Sequence, residues 1–324
     1  MGRGAEAGSG AAGGRRRARR ARRRRLALSV APVALAVATT TAVARYRVDA
    51  GDGDRARAPA TSARRSERVL GYASVDPFTA AVAEATQRAR AVESALASRT
   101  GIVSVGIVDL DTGAAAAVGD QTPIRSASVI KVSIAVAFLR SLETSGRAIS
   151  PAEHALLHAM ITTSDNDAAT ELWDTSGDRA GLLDVIAAAG LTATVPDPGG
   201  AWGYTLTNGA DQARLLYALV RGALLRSEHT QLLLDTMRGV VPDQRWGLAE
   251  VAPSGTTPAV KNGWHPDDDE PVWRVNCLAA FDDPAGPRLA IAVTTRYPSD
   301  LGVAYGQDTC RAVGFAALAA LPPG

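Results

Sequence analysis

A lysine inside an apolar helix constrains this chain more than any other feature. Between Arg125 and Arg140 the only ionisable side chain is Lys131, set among Val132, Ile134, Val136, Phe138 and Leu139. Apolar residues fall on every side of a helix through this stretch, so the helix is predicted to lie inside the protein. A lysine is seldom fully buried without a partner. Ser128 stands three residues earlier, on the same helical face one turn away, where the amine can reach its hydroxyl. Serine is a weak nucleophile until a neighbouring base takes its proton. Burial beside another cation lowers a lysine pKa far enough to make it that base.

The 35 basic residues include only two lysines, Lys131 and Lys261. Arginine cannot release its proton in a protein, so a position that needs a titratable amine must keep lysine. The sequence therefore singles out Lys261 as well, far along the chain from the first pair.

A chain of 324 residues with 46% hydrophobic and 21% charged residues has room for a substantial core. Its net charge of +2 conceals an asymmetry: the first 25 residues hold ten arginines against Glu6, which leaves the remainder acidic. An arginine run is an electrostatic footprint for phosphate, but an acidic folded part would repel nucleic acid, which is excluded as a partner. Residues 26–44 are uncharged and follow the arginines directly, the layout of an export signal. Arg24-Arg25-Leu26 resembles a twin-arginine signal. Ala42-Val43-Ala44 has the small-x-small form of a cleavage site, while the nineteen-residue run also suffices for an uncleaved anchor. Either outcome puts the bulk of the protein outside the cytoplasm, with membrane contact only through the N-terminal segment. No cysteine follows the run closely, so a lipoprotein anchor is not expected. Cys277 and Cys310 are able to pair in an oxidising compartment, and the sequence leaves that open.

Three regions follow: 1–44, the basic segment with its signal or anchor; 45–76, a linker rich in Arg, Ala, Ser, Gly and Asp; and 77–324, the folded part. Pro77 opens a helix that ends before Gly101, and residues 102–110 and 114–118 form a hairpin around Asp111-Thr112-Gly113. From 140 to about 237 nearly every segment is helical in type. Strand patterns return at 259–262, 272–281 and 289–296, and a last helix runs from about Tyr305 to Leu321. The predicted fold is α/β in the α+β sense: an antiparallel sheet flanked by both terminal helices, with an all-helical domain inserted. The α/β part spans about 77–125 and 245–324, the helical part about 126–244, and the Ser128 helix lies where they meet.

Two further motifs complete a set. Ser164-Asp165-Asn166 sits between helical stretches, and Lys261-Asn262-Gly263 ends a short strand pattern. Ser-x-x-Lys, Ser-Asp-Asn and Lys-Thr-Gly in this order resemble the signature of class A β-lactamases and penicillin-binding proteins, with Asn262 in place of the threonine. The resemblance covers about residues 77–321. More narrowly, Val260-Lys261-Asn262-Gly263-Trp264, Trp273-Arg274-Val275-Asn276 and Ala304-Tyr305-Gly306 resemble a group of exported actinobacterial serine hydrolases.

The resemblance implies an exported monomeric serine hydrolase acting on a small-molecule β-lactam or a peptidoglycan stem peptide, without metal or other cofactor. Ser128 would be acylated, Lys131 would accept its proton, and Ser164 would pass a proton to the leaving nitrogen. Asn166 would hold a substrate amide while Asp165 faces inward and braces the turn. Lys261 would attract a substrate carboxylate and Asn262 would donate to it. The backbone N–H groups of Ser128 and Trp264, beside Gly263, would form the oxyanion hole.

Two departures bear on turnover. Class A enzymes carry a loop glutamate that activates the deacylating water. The corresponding stretch here, Val195-Pro196-Asp197-Pro198-Gly199-Gly200-Ala201-Trp202-Gly203, holds Asp197 as its one acid. The interval from Ser128 to Ser164 is also shorter than in that class. Either Lys131 clears the ester or the acyl-enzyme is long-lived; a DD-peptidase and a non-catalytic wall-fragment binder are the alternatives. His154 and His158, four apart, are read as surface residues rather than metal ligands, and His265-Pro266-Asp267-Asp268-Asp269-Glu270 as a solvated loop over the pocket mouth.

Overall fold

The structure, a computed structural model, describes residues 77–320 except 268, 269, 285 and 287. The predicted signal or anchor and the linker lie outside the described residues. Among the described residues no helix is long and apolar enough to cross a membrane.

The elements follow one another as α1 (Pro77–Leu96), β1 (Ile102–Asp109), β2 (Ala115–Gly119), β3 (Ile124–Arg125), α2 (Lys131–Ser145), α3 (Pro151–Thr162), α4 (Asn166–Thr175), α5 (Asp178–Ala189), β4 (Leu206–Thr207), α6 (Gly209–Val220), α7 (Ser227–Arg238), β5 (Ala259–Pro266), β6 (Val272–Phe281), β7 (Leu289–Pro298) and α8 (Gly302–Ala319). Five strands form one antiparallel sheet in the order β2-β1-β7-β6-β5. This is the predicted α/β architecture, an antiparallel sheet with the terminal helices packed on it. Strand β5 runs four residues past its predicted end, and α8 starts three residues before the predicted Tyr305.

Strand β1 is buried on both faces, so alternating residues must meet helices on either side. Helices α1 and α8 pack on each other and on the sheet, and α6 packs against β1 and β7. Helix α6 therefore joins the sheet, although its residue numbers fall in the stretch predicted to be a separate helical part. Its approach depends on paired glycines. A Cβ at Gly106 would sit 2.2 Å from the Gly209 carbonyl oxygen, and one at Gly209 would sit 2.5 Å from that of Ser104. At that closeness the Gly209 N–H donates to Ser104 Oγ at 2.9 Å.

Local signals set the helix ends. Ser150 and Glu153 form a reciprocal capping box at the start of α3, with Pro151 in the first turn, and Gly146 closes α2 in the left-handed conformation. Every residue from Lys131 to Leu139 is buried, as the absence of a polar face in that stretch predicts. Cys277 in β6 and Cys310 in α8 form a disulfide, the possibility left open by the sequence. Closing a loop with a sequence separation of 33 contributes about 4 kcal/mol in the chain-entropy treatment. His154 and His158 are both exposed on α3.

Candidate active site

Ser128 lies in the short 3-10 turn Ala127–Ile130 that leads into α2. The turn is pinned from three directions. The Ser126 N–H donates to the Thr205 carbonyl at 2.8 Å, and Asn276 in β6 donates its amide to the Ser126 and Arg125 carbonyls at 2.9 and 3.2 Å. Strand β5 presses on it as well: a Cβ at Gly263 would stand 2.6 Å from the Ser128 nitrogen, so no other residue fits there without moving the turn. Ala127, immediately before the serine, has φ 48°, a conformation that costs a residue with a Cβ and persists only where the surroundings enforce it.

Lys131 is fully buried, and its amine donates to Ser164 O at 2.5 Å, to Asn166 Oδ1 at 2.7 Å and to Ser164 Oγ at 3.2 Å. The amine has thus turned toward the second motif, and Ser128 Oγ is not among its partners. The Trp202 ring lies over it, 5.2 Å from nitrogen to centroid. Burial lowers the Lys131 pKa to about 8, with the Asp165 charge acting in the opposite direction. An amine with that pKa is neutral in a useful fraction of molecules at neutral pH and can take a proton.

Ser164 has φ 59° and Asp165 caps α4 by accepting the Ala168 N–H at 2.8 Å. Asp165 braces the turn, but it is exposed rather than inward-facing, because a cap must lie beyond the helix end. Lys261 completes the cluster: it is fully buried and donates to Ser164 Oγ at 3.0 Å and to the Asn262 carbonyl at 2.7 Å. The Ser164 hydroxyl is therefore held between the only two lysine amines of the chain. Burial first, and then the Lys131 charge, hold the Lys261 pKa well below the ordinary lysine value.

A cavity of about 390 Å³ opens beside this cluster. Ser128, Asn166, Trp202, Tyr204, Trp264 and His265 line it together with Arg125 and Arg274. Trp264 is 39% exposed at its wall and meets Trp246 edge to face at 5.9 Å. Two of the residues expected to meet a substrate carboxylate lie away from the cavity lining. Asn262 does not face the cavity: it is 2% exposed and its amide donates to the Gln244 and Trp246 carbonyls at 2.9 and 3.1 Å, tying β5 to the segment before it. Lys261 is likewise absent from the cavity wall, being turned beneath Ser164. One expectation is corrected here, that the acidic stretch after His265 is solvated from its start. The Asp267 side chain is 2% exposed and ion-paired to Arg125 at 3.2 Å and to Arg274.

The loop with Asp197 offers the cavity no carboxylate. Asp197 accepts the Ala201 N–H of its own loop at 3.1 Å, and the loop gives the cavity Trp202 and Tyr204 instead. The preceding residues are fixed by the Asp211 carboxylate, which accepts from Thr192 N, Ala193 N and Thr194 Oγ1, and by pairing of β3 with β4. Sequence reading missed Arg125, Asp267, Arg274 and Asn276 as a group. The available signal was a pair of polar residues, Arg274 and Asn276, inside an otherwise apolar strand.

This fold and a serine beside two buried amines define the β-lactamase-like serine hydrolase superfamily. Residues 86–153 and 151–321 match the Beta-lactamase enzyme family, and the chain belongs to it. A class A β-lactamase from Bacteroides cellulosilyticus superposes with a TM-score of 0.64 at 15% identity, covering 73% of this chain and 98% of that one. PBP-A gives 0.58 at 24% identity over 71% and 95%. By sequence, the putative lipoprotein LppW of Mycobacterium tuberculosis is 29% identical over 172 residues, 53% of this chain. The chain spans about half the length of the curated relatives it matches, 52% for LppW.

Proposed function

We propose that the chain is an exported serine acyl hydrolase, acylated at Ser128 by β-lactams or by peptides ending like D-Ala-D-Ala. The Ser164 hydroxyl held between Lys131 and Lys261, beside a cavity that Ser128 lines, carries this reading. Ser128 Oγ attacks the carbonyl carbon and gives its proton to the neutral Lys131 amine, after a shift of that amine from Ser164. As the C–N bond breaks, the Ser164 hydroxyl protonates the leaving nitrogen and is reprotonated from the lysines. The backbone N–H groups of Ser128 and Trp264 receive the oxyanion, which the close passage of β5 at Gly263 supports. Asn166, also lining the cavity, takes a substrate amide. A solved PBP-A variant is an acyl-enzyme complex with penicillin G, which supports a ligand of that chemistry. Export rests on the N-terminal sequence, and the name of the LppW relatives agrees with it.

With no carboxylate among the described residues that line the cavity to activate water, the ester is expected to be long-lived. Intact mass of the full chain, followed over time after mixing with benzylpenicillin, should show a persistent adduct that Ser128→Ala abolishes. A wild-type protein that stays unmodified would overturn the reading. Release of D-alanine from a stem-peptide mimic, against turnover of a chromogenic cephalosporin, separates peptidase from lactamase. The same bare wall favours a second reading, a binding module without turnover. In that case Ser128→Ala leaves affinity unchanged and the wild type forms no adduct.

A further inference from the structure

With no carboxylate among the described residues that line the cavity, Lys131 is the base left to activate water against an ester on Ser128. The amine has three protons when charged, and it donates to three acceptors: Ser164 O, Asn166 Oδ1 and Ser164 Oγ. The Trp202 ring covers it as well, with the nitrogen 5.2 Å from the ring centroid. Trp202 lines the cavity and the fully buried Lys131 does not. The indole therefore stands between the amine and the space that water and substrate enter.

The ring is held in that place from two sides. Its Nε1–H donates to Thr170 Oγ1 at 3.2 Å, and that hydroxyl donates to the Asn166 carbonyl at 3.0 Å, one turn earlier in α4. Asn166 also accepts from the amine through Oδ1, so the same helix registers both the amine and its cover. On the loop side Trp202 opens a 3-10 turn, where the Tyr204 N–H donates to the Ala201 carbonyl at 2.9 Å and the Thr205 N–H to that of Trp202 at 3.2 Å. An aromatic face over a desolvated ammonium favours the charged form by about 1–2 kcal/mol, and the ring fills volume that water would otherwise take. Both effects act against a water molecule that needs a neutral amine beside it. The charges of Asp165 and Lys261 act on the amine too, and a substitution at Trp202 leaves both in place.

We propose that Trp202 is a positioning residue that closes the Lys131 amine off from water in the cavity and so prolongs the acyl-enzyme. The ester itself rests on the acyl-hydrolase reading, but access to the amine is measured separately. In the step that the ring suppresses, water adds its oxygen to the ester carbonyl carbon and gives one proton to the neutral amine. The bond from that carbon to Ser128 Oγ then breaks, and the ammonium returns the proton to Oγ as the acid leaves. Intact mass of the full chain, after loading with benzylpenicillin and removal of the excess, should show the Trp202→Ala adduct decaying about tenfold or more faster than the wild-type adduct. Trp202→Phe keeps a ring face and should decay at the wild-type rate. A disturbed fold would slow the appearance of the adduct without hastening its decay. Equal decay in all three proteins, or decay hastened as much by Phe as by Ala, would overturn the proposal. Reductive methylation with formaldehyde reads the amine directly, because Lys131 and Lys261 are the only lysines. Peptide masses should show Lys131 modified faster in Trp202→Ala than in wild type or Trp202→Phe, with Lys261 as the internal reference. A wild type that forms no adduct would refute acylation, while methylation of Lys131 hastened by Ala alone would still sustain the cover. Methylation at one rate in all three would overturn it.

Discussion

The helical turns and the sheet edge that meet beside the cavity each supply one buried lysine, and the two are held differently. Lys131 meets three acceptors, an aromatic ring and the charge of Asp165, which favours its protonated form. Lys261 meets two acceptors and feels the charge of the other lysine, which disfavours its protonated form. The difference is one of neighbouring charge, a carboxylate acting on one amine and an ammonium on the other. It also separates a wall whose side chains engage one another from one that presents mainly backbone at Gly263, the Trp264 ring and fixed guanidinium charge.

The comparison breaks most sharply at Lys131. Lys131→Met should slow acylation about a thousandfold by intact-mass kinetics, while Ser128 remains the labelled residue. If the rate is retained, the sheet-edge lysine is the base. On the other wall, Gly263→Ala would drive a methyl into the backbone of the Ser128 turn, and a misplacement of that kind should lower the acylation rate about a hundredfold. An unchanged rate would mean the turn can yield.

The pH dependence sharpens the contrast. Lys131 titrates at about 8 in the fold and at its ordinary 10.5 when unfolded. Between these values the unfolded chain binds more protons, so unfolding free energy should rise with pH, by roughly 3 kcal/mol across the whole window. Lys261, also lowered, acts with the same sign. Denaturant unfolding from pH 8 to 9.5 should show the rise, with a shallower slope in Lys131→Met; a decline with pH would contradict the burial argument. The acylation rate should likewise increase toward pH 8 as the amine becomes neutral. The smallest effect is expected at Asn262→Ala, which removes two buried hydrogen bonds and should cost about 1–3 kcal/mol of stability, with acylation little changed. A large loss of acylation at unaltered stability would return Asn262 to the substrate.

Much of this was legible in the chain because it depends on local pattern. The apolar run around Lys131, the hairpin around Asp111-Thr112-Gly113 and the 272–281 strand are written in periods of a few residues. The scarcity of lysine marked both amines before any coordinate did. What those amines touch is a different matter. Ser164 Oγ lies between residues 33 and 97 positions away, and the turn of Lys131 away from Ser128 depends on where α3 delivers the second motif. The direction of Asn262, the burial of Asp267 by two arginines and the entry of Trp202 into the cavity were likewise decided by packing. Sequence period fixes which face a residue takes on its own element. Which partners that face meets is set by chain segments far apart in sequence, through contacts that exist only once the elements have closed on one another.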